Sequence, residues 1–144
     1  MIKVATKDNL DSLTNLALLL FPQSSYTELY NEFLELLDDQ RAKIFLQYEQ
    51  DLPIGFAQCQ LRYDYVEGTS TSPVGYLEGI FVKEGYRRKG YARELLSACE
   101  NFARAKGCSE FASDCELDNQ ASFNFHKAMH FKEANRIICF TKKL

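Results

Sequence analysis

The sequence contains no apolar run that approaches the roughly 20 residues needed to cross a bilayer. Residues 1–4 lack the charged and apolar regions of a secretion signal, so we expect a cytoplasmic protein. Repeats, linkers and low-complexity tracts are missing as well, which indicates a single domain over residues 1–144. Apolar residues make up 46% of the chain, a share that argues against intrinsic disorder.

The cysteines lack the spacing of a metal site. There are five, an odd number, and none forms a C-x-x-C pair. A structural zinc site or a disulfide framework is therefore not expected, and no metal is expected in the function. We interpret the five thiols as reduced and mostly buried.

Strong net charge is missing too, because 17 Lys and Arg against 20 Asp and Glu leave a net charge of −3. The charges are nevertheless segregated: bases dominate residues 83–106, and every charged side chain in 110–118 is acidic. A polyanionic cofactor suits the first segment and a polycationic substrate the second, with Glu110 and Glu116 interpreted as solvated surface. A short basic run in an acidic chain argues against nucleic-acid binding.

Hydrophobic spacing predicts alternating strands and helices. Within 54–65, apolar and aromatic residues at the odd positions from 57 onward share one face of a strand. The mixture of elements indicates the α/β class. Strands are predicted at 2–5, 43–48, 54–65, 76–82, 110–113, 131–134 and 136–141, and helices after Thr6, after Ser25, over 94–106, and from Asp118 or Asn119 to Met129.

The most informative segment is the basic turn Arg87-Arg88-Lys89-Gly90-Tyr91-Ala92. It joins the apolar strand over 76–82 to the amphipathic helix over 94–106. Free N–H groups of such a turn and of the following helix carry partial positive charge, and Gly90 allows a ligand to approach the backbone closely. The turn therefore predicts a phosphate-binding site.

This turn resembles the pyrophosphate loop of the GNAT superfamily of N-acetyltransferases, whose pattern is Gln/Arg-x-x-Gly-x-Gly/Ala. The resemblance covers the middle and second half of the chain, whereas residues 1–40 match only in hydrophobic pattern and in Phe21-Pro22. It implies one GNAT-type domain with a mixed, twisted sheet, splayed central strands and about four flanking helices. Segments similar to the aminoglycoside 6'-N-acetyltransferases of that superfamily are Tyr63–Thr69, Thr71–Val74, Leu77–Val82, Glu110–Asp114 and Leu117–Asn119.

The resemblance also implies acetyl-CoA as co-substrate. The turn would hold the pyrophosphate, and the backbone of the preceding strand would align the pantetheine arm and polarise the thioester carbonyl. By itself that strand fits an ordinary core strand, and Asn119 fits a helix cap. The implied cofactor residues are Ile80, Phe81, Val82, Arg87, Arg88, Lys89, Gly90, Tyr91, Ala92 and Asn119.

Two carboxylates are predicted to serve the substrate. Glu78 interrupts an apolar strand, where a carboxylate is costly without a partner, so a functional role competes with a buried pairing to an arginine. Asp114 follows a predicted strand and has further acids but no bases near it in the sequence. The resemblance implies that both bind ammonium groups and that Glu78 accepts a proton, directly or through water.

Four other residues complete the predicted site. Phe21 and Tyr65 are interpreted as substrate-side aromatics, although Phe21 fits a plain core position as well. Asn135 stands where relatives carry a substrate-binding glutamate. His126 lies where many superfamily members have a tyrosine near the cofactor sulfur, so it could protonate the departing thiolate, while a lone histidine in an apolar helix also fits a structural role.

The sequence thus predicts an acyltransferase that acetylates the 6'-amine of aminoglycosides and confers antibiotic resistance. The first alternative is an acetyltransferase for a polyamine or a protein amine. A non-catalytic acetyl-CoA-binding module is the alternative from another class, and the presence of Glu78 and Asp114 argues against it. The resemblance also suggests a homodimer built partly from C-terminal strands.

Overall fold

The chain forms strands and helices close to the positions that hydrophobic spacing predicts. The structure is a computed structural model that describes every residue from Met1 to Leu144. The strands are β1 (Ile2–Val4), β2 (Ala42–Glu49), β3 (Leu52–Arg62), β4 (Val74–Val82) and β5 (Phe111–Ala112). The helices are α1 (Leu10–Leu20), α2 (Tyr26–Leu37), α3 (Tyr91–Ala105) and α4 (Gln120–Ala128), and a 3₁₀ turn (Lys7–Asn9) precedes α1.

Two helices begin at the caps that the sequence predicts. Ser25 Oγ accepts a hydrogen bond from the Glu28 N–H at 3.1 Å, at the start of α2. Asn119 Oδ1 accepts one from the Ser122 N–H at 3.1 Å, at the start of α4. In both cases a side-chain oxygen satisfies a helix N–H that has no intrahelical partner.

The sheet has the order β1-β2-β3-β4-β5, antiparallel except for the parallel pair β4 and β5. Helix α3 covers one face and packs in a core that contains Ile54, Ala57 and Cys59. Helices α1 and α2 cover the other face and pack around Ile44 and Phe56. The observed architecture is the single α/β domain that the sequence predicts. No helix is both long and apolar enough to span a membrane.

A bulge in β4 changes which way its side chains point. Successive residues of β3 pair with Gly79 and Leu77, so that Glu78 is skipped. Leu77 and Ile80 consequently both pack in the core beneath α3. Gly79 faces the other side, where a Cβ added to it would lie 3.7 Å from the Phe21 ring. The bulge thus places Glu78 and Gly79 together between two core-facing residues.

The parallel pair β4 and β5 separates almost as soon as it forms. The two strands pair only at Gly75 with Phe111 and at Tyr76 with Ala112. Beyond these pairs, the edge of β4 toward Val82 has no strand beside it. This divergence is the splaying of central strands that the resemblance implied, and it leaves backbone N–H and C=O groups available to a ligand.

Three predicted strand assignments need correction. The alternation over 54–65 is confirmed from Ala57 to Leu61, but β3 ends at Arg62, and Tyr63 and Tyr65 lie exposed beyond it. The predicted strands at 131–134 and 136–141 are wrong for this chain. Residues after 131 make no backbone–backbone hydrogen bond within the chain, and a strand requires a neighbour with which to pair.

The loop between β3 and β4 is held by Glu110, which the sequence suggested was merely solvated. The Glu110 carboxylate accepts hydrogen bonds from the Ser70 N–H at 3.0 Å, the Thr71 N–H at 2.9 Å and the Thr71 hydroxyl. The Thr71 hydroxyl, followed by the Ser70 N–H, lowers the pKa of Glu110 below its usual 4.5. One carboxylate therefore fixes a loop that borders the splayed strands.

We predict that Glu110→Ala loosens this loop without unfolding the domain. Because the pKa of Glu110 is lower in the folded state, the ionised carboxylate stabilises the loop above pH 4.5, and this contribution is lost as the pH falls through the lowered pKa. The hydrogen-exchange protection factors of the Ser70 and Thr71 N–H groups should be lower in the variant than in the wild type at neutral pH. The wild-type protection factors should fall to those of the variant only at acid pH. Glu116→Ala removes an exposed carboxylate that makes no side-chain hydrogen bond and should leave exchange unchanged; equal exchange in all three proteins would contradict the prediction.

Candidate active site

A cleft lies between the end of β4 and the start of α3, at the basic turn. The segment that joins β4 to α3, residues 83–90, contains three residues with left-handed backbone: Gly85 (φ 91°), Arg88 (φ 63°) and Gly90 (φ 83°). This curvature turns the chain from strand to helix within a few residues. The cleft is lined by Val82, Tyr86, Arg87, Arg88, Gly90, Tyr91, Ala92, Arg93, Phe125 and Met129.

The N-terminus of α3 opens into this cleft without a capping side chain. Gly90 precedes the helix, and the first helical hydrogen bond runs from the Glu94 N–H to the Gly90 carbonyl at 3.1 Å. A Cβ placed on Gly90 would meet no atom within 4 Å, so space is open in front of the helix. The N–H groups of residues 91–93 are thus free to bind an anion, with the helix dipole in support.

Two of the three predicted basic side chains are used to hold the turn itself. Arg87 Nε donates to the Val82 carbonyl at 2.9 Å. Lys89 Nζ lies 3.2 Å from Glu49 Oε1, and the Tyr91 hydroxyl donates to the same oxygen at 2.8 Å. These contacts, the tyrosine hydrogen bond foremost, lower the pKa of Glu49. Among the three bases only Arg88 makes no hydrogen bond or ion pair within the chain, so its whole guanidinium is available to a phosphate, whereas Arg87 and Lys89 keep only their remaining N–H donors.

A second group of charged residues lies at the point where β4 and β5 separate. Arg62 and Glu78 form a two-pronged ion pair, with Nε to Oε1 and Nη2 to Oε2 both at 2.9 Å. The guanidinium also stacks 3.4 Å from the centre of the Tyr76 ring. The Tyr76 hydroxyl donates in turn to Asp114 Oδ2. Burial, and then this hydrogen bond, raise the pKa of Tyr76, so it remains a neutral donor.

The structure therefore brings the two predicted carboxylates into one network and adds a cation that the sequence did not reveal. Glu78 lies where the strands part, beside the candidate site, and it also pairs with an arginine, which was the alternative that the sequence left open. Asp114 has only acids near it in the sequence, but in the fold Arg62 approaches it from β3. The pKa of Arg62 is raised first by its hydrogen bond to Glu78 and also by the charge of Asp114. The signal available in the sequence was Arg62, which lies near the end of the predicted strand before the one that contains Glu78.

His126 lies on α4, facing the strand edge. Its Nδ1 is 2.7 Å from the Ser122 carbonyl oxygen, which can only accept, so Nδ1 donates. Its Nε2 lies 2.8 Å from Ser113 Oγ, and that hydroxyl is also 3.4 Å from the Leu77 carbonyl. The ring packs edge-on against Phe131, with centroids 5.0 Å apart. Ser113, which sequence reasoning missed, therefore stands between His126 and β4.

The predicted substrate-side residues fall into two places. Phe21 is 38% exposed and lies over Gly79, beside the bulge. Tyr65 and Asn135 instead meet at Glu67: the Tyr65 hydroxyl lies 3.5 Å from Oε2, and Asn135 Nδ2 donates to Oε1 at 3.0 Å. Glu67 is thus an acidic group on the loop before β4 that the sequence did not single out.

The structure contains no group of His, Cys, Asp and Glu side chains that could hold a metal ion. All five cysteines are free, and three of them, Cys59, Cys99 and Cys108, are buried, in line with the sequence interpretation. Cys115 and Cys139 are exposed.

Comparisons with known proteins agree with this arrangement. The model of the acetyltransferase (GNAT) family matches residues 10–131. The aminoglycoside N(6')-acetyltransferase type 1 of Serratia marcescens is 37% identical over 145 residues, which cover 100% of this chain and 99% of the relative. The protein of the same name from Acinetobacter haemolyticus is 37% identical over 143 residues, covering 99% and 98%.

Solved structures give the same result. AAC(6')-Iy in complex with the bisubstrate analog CoA-S-monomethyl-acetylneamine has a TM-score of 0.96 and 33% identity, covering 100% of this chain and 98% of that one. The apo aminoglycoside 6'-N-acetyltransferase AAC(6')-IG from Acinetobacter haemolyticus has a TM-score of 0.93 and 35% identity, covering 100% and 99%. A strand edge left open beside an uncapped helix N-terminus, together with these matches, shows that the chain belongs to the acetyltransferase (GNAT) family, among the aminoglycoside N(6')-acetyltransferases.

Proposed function

We propose that the protein transfers the acetyl group of acetyl-CoA to the 6'-amine of aminoglycosides and thereby confers resistance to them. The observation that carries the proposal is the juxtaposition of an anion-binding cleft at α3 with two carboxylates at the adjoining end of the splayed strands. The first suits a pyrophosphate and the second suits ammonium groups. The relative AAC(6')-Iy, solved with an analog that joins CoA to acetylneamine, supports the same pairing of ligands.

Acetyl-CoA would bind along the open edge of β4. The free N–H groups of residues 91–93 and the Arg88 side chain would hold the pyrophosphate, and Asn119 would add a contact from the start of α4. The unpaired backbone of Ile80, Phe81 and Val82 would hydrogen-bond the pantetheine arm. The thioester would then lie near Leu77, where the strands part and the Ser113 hydroxyl lies.

The substrate would bind at the end of the cleft that carries the charged network. Asp114 would attract its ammonium groups and Glu78 would bind the reacting amine, with Phe21 beside them and Glu67 at the exposed loop. During transfer the neutral amine nitrogen bonds to the acetyl carbon and the carbon–sulfur bond breaks. The nitrogen loses one proton to water and the thiolate takes one up. A protonated His126 could supply that proton through Ser113, since its Nε2–H would donate to Ser113 Oγ and free the hydroxyl hydrogen for sulfur.

We predict that acetyl-CoA-dependent thiol release will be fast with kanamycin and weak with spermidine or a basic peptide. Asp114→Asn should lower kcat/KM for kanamycin by about tenfold or more, since a hydrogen bond to a charged partner is lost, while acetyl-CoA affinity stays constant. The asparagine keeps an oxygen that can accept the Tyr76 hydrogen bond, so the fold should persist. A wild type that prefers spermidine or the peptide would contradict the proposed substrate.

We predict that Gly90→Val will weaken acetyl-CoA binding by about ten- to hundredfold, the effect of losing one or two backbone contacts to a charged phosphate. The new side chain would enter the open space in front of α3. Gly107→Val is the matched control, because Gly107 also has left-handed backbone (φ 88°) and no atom within 4 Å of an added Cβ, but lies beyond the opposite end of α3. Calorimetry that finds equal affinity in both folded variants would remove the pyrophosphate from this turn.

We also propose that the protein is a homodimer in the cytoplasm, where acetyl-CoA and reduced thiols are found. Support for the dimer comes from the C-terminal segment, which makes no backbone–backbone hydrogen bond within the chain and exposes apolar side chains. A second copy could supply the strand partner that residues 132–144 lack within their own chain. Three apolar side chains in the interior of this segment are strongly exposed, namely Ile137 at 68%, Ile138 at 81% and Phe140 at 88%.

We predict that sedimentation will show a dimer and that the double change Ile138→Lys and Phe140→Lys will shift it to monomer. Charges at those positions would oppose burial of the segment. The control is Leu52→Lys, an exposed apolar residue at the start of β3, which should leave the dimer intact. A wild type that sediments as a monomer at micromolar concentration would contradict this proposal.

A further inference from the structure

The carboxylate proposed to receive the reacting amine already has a cation bound to it. Arg62 occupies both oxygens of Glu78, and the face of its guanidinium rests on Tyr76. The arginine is thus oriented from two directions. The ion pair with Glu78 alone would not fix the plane of the guanidinium, whereas the contact with the Tyr76 ring does.

The titratable groups that face this pair come from three elements. Strand β3 supplies Arg62, β4 supplies Tyr76 and Glu78, and the segment after β5 supplies Asp114. On the α1 side, Leu20 and Phe21 approach Gly79 and neither titrates. One cation and two anions leave the network with a single negative charge, at Asp114.

Substrate binding and deprotonation of the reacting amine require opposite charge properties of such a network. A polycationic substrate is attracted most strongly by unpaired carboxylates. An ammonium held against an unpaired carboxylate is, however, harder to deprotonate, because a nearby anion favours the charged form. A primary amine such as that of lysine has a pKa of about 10.4, so at neutral pH it must lose a proton before it can attack.

We infer that Arg62 is a positioning residue that neutralises Glu78, so that the reacting amine is held there in its uncharged form while Asp114 attracts the rest of the substrate. The inference rests on the proposed function and adds a specificity determinant to it. The ammonium gives one proton to water, and the neutral nitrogen then attacks the acetyl carbon. As the carbon–sulfur bond breaks, the nitrogen loses a second proton to water and the departing thiolate takes one up. Glu78 accepts a hydrogen bond from the amine through an oxygen lone pair that Arg62 leaves free.

Because the pair is partly exposed, experiments on a folded variant can distinguish this role from a purely structural one. The Arg62 side chain is 42% exposed and that of Glu78 is 20% exposed. Ion pairs that are partly open to solvent contribute little to stability, so the domain should tolerate the loss of the arginine charge. The kinetic consequences should then be visible in a folded protein.

The test compares Arg62→Gln, which removes the charge, with Arg62→Lys, which keeps it. For each protein, the KM for kanamycin and the single-turnover rate at saturating kanamycin and acetyl-CoA are measured from about pH 6 to about pH 11.5, a range that extends past the primary-amine pKa of about 10.4 and past its expected rise. In Arg62→Gln the KM should fall about two- to fivefold, because Glu78 becomes free to hold an ammonium. The midpoint of the rate profile should rise by about one pH unit, so that the neutral-pH rate is low and recovers in alkali.

Arg62→Lys should retain the wild-type midpoint, and acetyl-CoA affinity should be equal in all three proteins. An unmoved midpoint in Arg62→Gln, or a KM that rises while the rate falls, would overturn the inference. If Arg62→Gln does not fold, Arg62→Met, which keeps an apolar stem over Tyr76, replaces it. Failure of both to fold, with Arg62→Lys folded, would identify a structural ion pair and likewise overturn it.

The outcome for the wild type separates this inference from the proposed function. If the wild-type protein acetylates no aminoglycoside, the proposed function fails. If it acetylates kanamycin and Arg62→Gln behaves like the wild type, only the role of Arg62 fails.

Discussion

Backbone hydrogen bonding is the constraint from which the rest of this structure follows. Buried N–H and C=O groups need partners, and β4 finds them along its length only in β3. On its other side, β5 pairs with Gly75 and Tyr76 and then turns away. That early departure leaves the edge of β4 open from the charged network around Glu78 to the cleft at the α3 N-terminus, which follows Val82. The locations of both proposed ligands therefore depend on where a two-residue strand stops pairing.

The bulge at Glu78 allows β4 to direct apolar side chains into the core beneath α3 and a carboxylate toward the candidate site. Regular alternation would place residues 78 and 80 on the same face. Because Glu78 is skipped in the register, Ile80 packs with Leu77 beneath α3, and Glu78 turns toward Arg62. A carboxylate can thus occur within an apolar strand without being buried among hydrophobic side chains, and its energetic cost is reduced by a partner and by partial access to water.

Local patterns in the sequence were sufficient for the element order, the caps at Ser25 and Asn119, and the turn after β4, because these depend on neighbours along the chain. The pairing of Arg62 with Glu78 could not be predicted, since it depends on register across two strands and on a bulge. The same holds for Glu110, whose partners lie about forty residues earlier in the chain. The C-terminal pattern predicted two strands that do not form, because a strand needs a pairing partner and residues after 131 have none within this chain.

The contacts within the basic turn bear on the thermodynamics and kinetics of cofactor binding. Glu49 holds Lys89 and Tyr91, and the Val82 carbonyl holds Arg87, before any ligand arrives. The conformational entropy of the turn is therefore lost during folding and not during association. Encounter with acetyl-CoA should then require no loop closure, so the association rate constant should be governed by diffusion and by attraction between the basic cleft and the phosphates.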